Sequence, residues 1–268
     1  MLKADRQRRI LEILQQNGNV LVTDIGDQFD VSEMTIRRDL RELEQEGLLR
    51  RVHGGAITDL GRGYKPMFQV RALKNVEAKQ LIGRQAAKLI CPGDTIALDT
   101  GTTTLEIARG LAGSRDLTII TASLPIVAEI QASLALEADV RLILTGGILR
   151  TGEASMIGHI AERTYEDLNV EKGFIGIGGI DIKEGLTEYS LEDALVKRAL
   201  LASAQLKIVV ADGSKFGRVA FAFVCPLSDI DMIITDSSAP PDVLAELAAL
   251  GVRIVIADEL GVEEKMPP

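Results

Sequence analysis

Residues 32–55 constrain the fold of this 268-residue chain more than any other stretch. Wound at about 100° per residue, Leu40 and Leu43 fall within about 40° of Ile36 and make one narrow apolar stripe. Arg37, Arg41, Met34 and Arg38 lie at roughly 100°, 140°, 160° and 200° on the same wheel, opposite that stripe. Three guanidinium groups facing away from a core suit the major groove of duplex DNA, where arginine pairs bidentately with guanine or clamps phosphate. A solvated charged helix is the plainer reading. Ser32 stands where an N-cap hydroxyl is wanted, and Gly47 where a C′ residue is wanted.

The flanks complete a motif. Val22–Phe29 predicts a helix with Ile25 and Phe29 turned inward and Thr23 or Asp24 near its start, joined to the next helix through a tight turn at Asp30-Val31. Arg6 to Gln16 predicts an earlier amphipathic helix carrying Ile10, Leu11, Ile13 and Leu14, ended near Asn17-Gly18. Leu48–Val52 and Ala56-Ile57 predict two strands turning at His53-Gly54-Gly55. A helix, a helix-turn-helix and a basic hairpin make a winged helix-turn-helix.

The segments RQRRILEIL, VSEMTIRRDLRELEQEGLLRR and VHGGA resemble the N-terminal domain of the DeoR family of bacterial transcriptional regulators, over about the first 57 residues. Its most distinctive pieces are Thr35-Ile36-Arg37-Arg38-Asp39-Leu40 and Arg51-Val52-His53-Gly54-Gly55-Ala56. Thr35, Arg37, Arg38 and Arg41 are the candidates for groove contact, with Ser32 and the wing's Arg50 and Arg51 securing phosphates. His53 reads either as a wing-tip contact or as a plain loop residue.

Composition bounds the rest. Apolar residues make up 46% of the chain, enough for a real core, whereas 3% aromatic with no Trp argues against a single-strand stacking platform. The net charge of −9 looks wrong for a DNA binder, and residues 1–57 do not reverse it, with nine Lys/Arg against ten Asp/Glu. Affinity for DNA must therefore come from local placement of cations. Cys91 and Cys225 have no metal or redox spacing, which points to a reduced, cytoplasmic setting; Cys91, closing an apolar helix, reads as core. Two histidines, His53 and His159, are too few for a histidine metal site, and His159 reads as structural or interfacial. No metal or cofactor is expected. No apolar run approaches a membrane span, and the start of the chain reads as charged helix rather than signal peptide.

Four regions are expected: a DNA-binding domain over 1–57, a linker over 58–74 punctuated by Gly61, Gly63 and Pro66, a sensor over 75–258, and a tail over 259–268. In the sensor, strand-like and helix-like segments alternate. Val76–Ile90, Leu105–Leu111, Pro125–Ser133, Ala161–Leu168, Leu191–Ala204 and Pro241–Leu250 read as helices. Thr95–Leu98, Leu117–Thr121, Val140–Thr145, Gly173–Ile177, Lys207–Ala211, Met232–Thr235 and Arg253–Ala257 read as strands. The fold class is α/β, a mostly parallel sheet covered on both faces, and such sheets bind ligands at the carboxyl ends of their strands.

Those ends are polar. The first strand exits into Asp99-Thr100-Gly101-Thr102-Thr103-Thr104 and then a helix, with Thr103 and Glu106 at capping-box spacing. A hydroxyl-rich turn at a helix N-terminus offers backbone N–H groups to an anion, though by itself it could be merely a well-capped helix. Other exits carry Thr121 and Ser123, then Gly146 and Gly147, then Asp181, then Asp212, Ser214 and Lys215. Together they describe a polyhydroxylated, anionic ligand.

LDTGTTTLEIARGL, TASLPIV, LTGGILR, GIGGID and ADGSKFG resemble the C-terminal sensor domain of the same family. That resemblance implies a fold related to ribose-5-phosphate isomerase and the CoA-transferases, sensing a phosphorylated sugar or related intermediate. It assigns the phosphate to Thr100–Thr104, a cationic role to Lys215 and a hydroxyl-accepting role to Asp212; Glu192 is a weaker candidate, equally a solvated helix start. The fold's relatives keep an enzymatic alternative open, a sugar-phosphate isomerase with an appended DNA-binding domain. The Asp-Gly-Ala-Asp-Glu and Lys-Gly-Gly-Gly stretches of those isomerases do not occur here. An inert oligomerisation module is a third reading, which the polar strand ends oppose. The sequence as a whole reads as a repressor binding operator DNA as a homodimer or homotetramer.

Overall fold

The computed structural model describes residues 2–45, 48–57, 62–63, 65–133, 139–258 and 263–265. The chain forms two compact units, Met1–Arg71 and Ala72–Pro268. Gly47 and Gly61, which the sequence offers as a helix stop and a linker break, lie outside the described residues.

The first unit runs α1 (Lys3–Asn17), β1 (Asn19–Leu21), α2 (Val22–Phe29), α3 (Glu33–Gln45), β2 (Arg50–Val52) and β3 (Gly55–Ile57). Ile10, Leu14, Ile25, Ile36, Leu40 and Leu43 meet in its core, each at most 2% exposed. The helical period of each segment therefore points at one shared centre. Gly18 ends α1 in the left-handed region, its N–H donating to the Leu14 carbonyl at 2.8 Å. Asp30, at φ 53°, turns the chain between α2 and α3.

The wing has one strand more than expected. β1 joins it, giving the order β1-β3-β2. Gly55 is what lets β1 lie so close: a Cβ there would come within 2.0 Å of the Val20 carbonyl oxygen. A short helix, α4 (Phe68–Ala72), lies within the stretch expected to be linker.

The second unit continues with α5 (Val76–Ala87), β4 (Thr95–Leu98), α6 (Thr102–Gly110), β5 (Leu117–Thr121), α7 (Leu124–Ser133) and β6 (Val140–Leu144). A hairpin of β7 (Ile148–Arg150) and β8 (Ser155–Ile157) follows, then α8 (His159–Glu166) and β9 (Val170–Ile175). Next come β10 (Gly179–Asp181), β11 (Gly185–Glu188), α9 (Leu191–Ser203), β12 (Ala204–Val210) and β13 (Ala222–Cys225). The unit closes with β14 (Met232–Asp236), α10 (Pro241–Ala249), β15 (Arg253–Ala257) and β16 (Glu263–Lys265).

The main sheet has the order β16-β15-β14-β12-β9-β4-β5-β6, and every neighbouring pair is parallel except β15 with β16. From β4 the chain steps outward to β5 and β6, then returns to β4's other side as β9 and steps outward again. The strand order therefore reverses between β4 and β9, the crevice where sheets of this kind admit ligands.

Several expectations need correcting. Cys91 is exposed, not core, because α5 stops at Ala87 and Cys91 already lies in the following turn, where its N–H donates to Asp94. β9 starts at Val170 rather than Gly173; Glu171 and Lys172 hid its first residues by bonding outward, to the Thr95 N–H and Asp94. The expected tail contributes β16. A separate antiparallel sheet, β10-β11-β13, was not foreseen, since each strand has only three or four residues.

Candidate functional site

On the first unit, α3 presents the arginine face as its period predicts. Arg37, Arg38, Arg41 and Met34 are exposed, while Ile36, Leu40 and Leu43 are buried. Ser32 caps the helix, its hydroxyl oxygen 3.3 Å from the Thr35 N–H and 2.9 Å from the Thr35 hydroxyl. Arg37 pairs with Glu33 at 2.8 Å and Arg38 with Glu42 at 3.6 Å, both one turn apart on the helix surface. Pairs of this kind contribute about 0.3–0.5 kcal/mol, so either arginine can exchange its carboxylate for a phosphate or a base edge. Arg41 and Arg50 are exposed and have no ion-pair partner among the described residues. Arg51 is tied to Glu44 through both its backbone N–H, at 2.9 Å, and its Nε, at 2.7 Å, which fixes the wing against the end of α3. His53 is exposed at the turn between β2 and β3.

Behind this face lies a residue the sequence reading passed over. Asp39 is 1% exposed and takes a bidentate hydrogen bond from Arg6 of α1. It falls about 60° from Ile36 and about 40° from Leu43, at the edge of the apolar stripe, and a charge beside such a stripe is the signal that a buried partner exists. The pair sets the angle between α1 and α3.

On the second unit, the strand ends divide into groups already engaged and groups left open. Asp99 is buried in an ion pair with Lys197 of α9 and accepts from the Gly176 N–H at 3.1 Å, stitching the β4 and β9 exits together at the switch point. Lys197 also donates to the Gly176 carbonyl at 2.9 Å and lies 3.3 Å from Glu188. Burial pulls its pKa down, but the charges of Asp99, Glu188 and Asp193 outweigh burial and hold the ammonium above the usual lysine range. Asp193 in turn accepts from Arg150 of β7, at 3.0 Å through one nitrogen, and Arg150 donates to Ser155 at 2.9 Å. None of Lys197, Glu188, Asp193 or Arg150 was picked out from the sequence. Lys197 and Asp193 share the buried stripe of α9 with Ala194, Leu200 and Leu201, the same legible signal as at Asp39.

The α6 start is capped differently from the Thr103–Glu106 box expected. Gly101 is the N-cap, and Thr104 closes the turn, accepting from the Gly101 N–H at 2.9 Å and hydrogen-bonding to the Asp99 carbonyl at 2.7 Å. Glu106 instead pairs with Arg109 at 2.5 Å. Thr121 and Ser123 are likewise occupied, accepting from the Ser123 and Ile126 N–H groups at 3.1 and 3.4 Å. The hydroxyls of Thr100, Thr102 and Thr103, by contrast, have no hydrogen-bond partner among the described residues and are not sealed from solvent. They surround the first turn of α6, whose N–H groups have no carbonyl within the helix to donate to. Three hydroxyls and a helix N-terminus in one place can accommodate an anion.

Gly146 and Gly147 follow β6 with φ of 72° and 112°; a Cβ on Gly147 would meet the Ile157 carbonyl at 2.5 Å, so it serves the packing of the β7–β8 hairpin. Asp181 sits at the end of β10 and closes the turn to β11, accepting from the Lys183 and Glu184 N–H groups at 2.9 and 3.0 Å. Glu192 is exposed at the start of α9.

After β12, Asp212 accepts from Asn75 at 2.8 Å and from the Ser214 N–H at 3.1 Å. Burial would lift its carboxyl, but the Ser214 hydroxyl, the Lys215 charge and Asn75 outweigh it and hold it below the usual carboxylate range. Lys215 lies 6.0 Å over the Tyr189 ring. An open cavity of about 690 Å³ runs beside this loop, lined by Leu73, Asn75, Val76, Ser214 and Asp236 among others. Among the described residues, no group of three or more His, Cys, Asp or Glu could hold a metal ion. No helix among them is long and apolar enough to cross a membrane.

Comparison with known proteins agrees at both ends of the chain. The DeoR-like helix-turn-helix domain matches residues 6–59 and the DeoR C terminal sensor domain residues 74–237. The HTH-type transcriptional regulator GlpR of Haloferax volcanii is 34% identical, over 95% of this chain and 98% of its own. The glycerol-3-phosphate regulon repressor of Escherichia coli K12 is 33% identical over 92% and 96%. Among solved structures, ribose 5-phosphate isomerase A of Methanocaldococcus jannaschii is 11% identical, covering 72% of this chain and 100% of its own at a TM-score of 0.43.

Proposed function

The chain belongs to the DeoR family of transcriptional regulators, and from that premise we propose that it represses a sugar-related operon under control of a phosphorylated, polyhydroxylated effector. Arg37, Arg38 and Arg41 of α3 would enter the major groove, with Ser32, Arg50, Arg51 and His53 along the backbone. The effector's phosphate would rest on the first turn of α6, against Thr100, Thr102 and Thr103. Asp99, Gly101, Thr104, Thr121, Ser123, Gly146, Gly147 and Asp181 would shape the crevice, and Asp212, Ser214 and Lys215 would face the ligand's other end.

One observation carries this reading: three threonine hydroxyls at the sheet's switch point lack partners while their polar neighbours are bonded. The same contrast favours sensing over turnover. An isomerase needs a carboxylate available as base at the reacting carbon. Asp99 and Glu188 here share Lys197, and Asp193 is held by Arg150.

The response would be a population shift, the ligand preferring one arrangement of a cytoplasmic homodimer or homotetramer and so changing operator affinity. Asn75 supplies a route, because it bonds Asp212 only a few residues after the second unit begins. The test is direct. Lys215→Ala should abolish the effect of a phosphorylated sugar on DNA binding and leave DNA binding without it unchanged. A variant that responds at wild-type ligand concentrations would remove Lys215 from the site, and turnover of a sugar phosphate by the purified protein would restore the enzymatic alternative.

A further inference from the structure

The helix α9 has an outward face unlike that of a helix turned to water. Wound at about 100° per residue from Leu195, its inward arc holds Ala194, Val196, Lys197, Leu200 and Leu201, all buried. The outward arc, within about 60° of Leu195 on either side, holds Leu191, Glu192, Leu195, Arg198, Ala199 and Ala202, all exposed or half-buried. Apolar residues fill the middle of that arc, where a solvated helix carries charged and polar ones. Leu191 alone is 51% exposed.

The apolar surface continues onto β13. Alternation there buries Ala222 and Val224 and leaves Phe221, just before the strand, and Phe223 turned outward, 67% and 48% exposed. Arg198 ties the helix to the strand, donating to the Phe223 and Val224 carbonyls at 2.5 and 3.2 Å, with its guanidinium 5.9 Å from the Phe223 ring centre. A joined apolar patch of this kind marks an interaction surface.

The charges decide what covers it. Glu192 and Arg198 stand three residues either side of Leu195, at the two margins of the outward arc, and neither has an ion-pair partner among the described residues. Leu191 and Ala199 stand four residues either side. A second copy laid antiparallel, with Leu195 on the two-fold axis, therefore brings Glu192 level with Arg198 of that copy, and sets the large Leu191 level with the small Ala199. A parallel alignment would set Glu192 beside Glu192 and Arg198 beside Arg198, which like charges oppose. A two-fold contact needs a patch that complements itself in this way.

We infer that the outward face of α9, extended by Phe221 and Phe223, is the surface through which two copies of this chain associate, antiparallel about Leu195. The premise is the homo-oligomer proposed above; the inference adds where it is joined. Lys197, which holds Asp99 at the switch point, stands about 160° round the helix from Leu195, so one rigid helix carries the crevice on one face and the contact on the other.

Two measurements on the full chain test it. In sedimentation velocity at micromolar concentration the wild type should run as a dimer or tetramer. Leu195→Glu, which sets two carboxylates together on the axis, should lower that mass to half or less with an unchanged circular dichroism spectrum. Cysteine cross-linking with copper phenanthroline reads the register without disrupting the fold, in a Cys91→Ser background because Cys91 is exposed. Facing helices about 8–10 Å apart bring the two copies of position 195 within disulfide reach, so Leu195→Cys should form a covalent dimer. Position 202 lies seven residues on, so its two copies stand roughly 21 Å apart along the helices and Ala202→Cys should stay unlinked. A folded Leu195→Glu chain of wild-type mass, or Leu195→Cys linking no faster than Ala202→Cys, overturns this surface and leaves the homo-oligomer standing. A wild type that is monomeric throughout overturns both.

Discussion

The arginine face of α3 and the charged cluster at the sheet ends use the same kinds of side chain to opposite ends. On α3 each ion pair is made within one helix turn at the surface, and the Arg38 side chain is 79% exposed. Such a face gives up little when its carboxylates are exchanged for phosphates. At the sheet ends the charges come from different elements, the β4 exit, β7, β11 and α9, and are buried together. That arrangement holds loops in place, and around the α6 turn the groups left for a partner are neutral hydroxyls and amides. One region keeps its charge for its partner; the other spends charge on shaping a site for one.

The sharpest way to break this comparison is to remove one charge from each region. Lys197→Ala leaves Asp99 and Glu188 buried without their cation and should cost about 3–5 kcal/mol of stability, read by scanning calorimetry. Arg38→Ala should cost no more than about 0.5 kcal/mol. Equal losses would mean the cluster is not the scaffold described here.

In DNA binding the order reverses. Arg38→Ala should weaken binding to a specific operator about tenfold to a hundredfold. If its role is phosphate contact instead, the loss will be uniform across sequences and the salt dependence will fall by about one unit of slope. Normal affinity in this variant would count against the assigned helix face.

A smaller pair of effects tests the division between engaged and open threonines. Thr102→Val should weaken phosphate binding by roughly fivefold to tenfold with little change in melting, as loss of one charge-assisted hydrogen bond implies. Thr104→Val should instead lower stability by about 1 kcal/mol, since it removes a cap. The reverse pattern would exchange the roles given to these two residues.

How far the sequence could be read follows the same division. The α3 stripe, the Asp30 turn, the Gly54-Gly55 wing and the alternation of strands and helices in the sensor are local patterns, with partners a few residues apart. The elements missed are those whose partners are remote. β1 has three residues and pairs with β3 across the whole of α2 and α3. The β10-β11-β13 sheet is built from strands too short to show a period. Asp99 and Lys197 are 98 residues apart, so neither announces the other, although Lys197 on an apolar helical stripe was a readable sign. The Thr103–Glu106 spacing was local but misleading, because Thr104 reached the Gly101 amide first.

The central claim is that a phosphorylated ligand at the sheet ends alters what α3 does. Fluorescence anisotropy tests it most directly, using the full chain, a labelled duplex from upstream of its own coding sequence, and a series of phosphorylated sugars. At least one sugar should change the dissociation constant by about tenfold, a coupling of about 1.4 kcal/mol, and Lys215→Ala should remove that change. DNA affinity indifferent to every phosphorylated sugar, or a Lys215→Ala variant responding as the wild type does, would contradict the account.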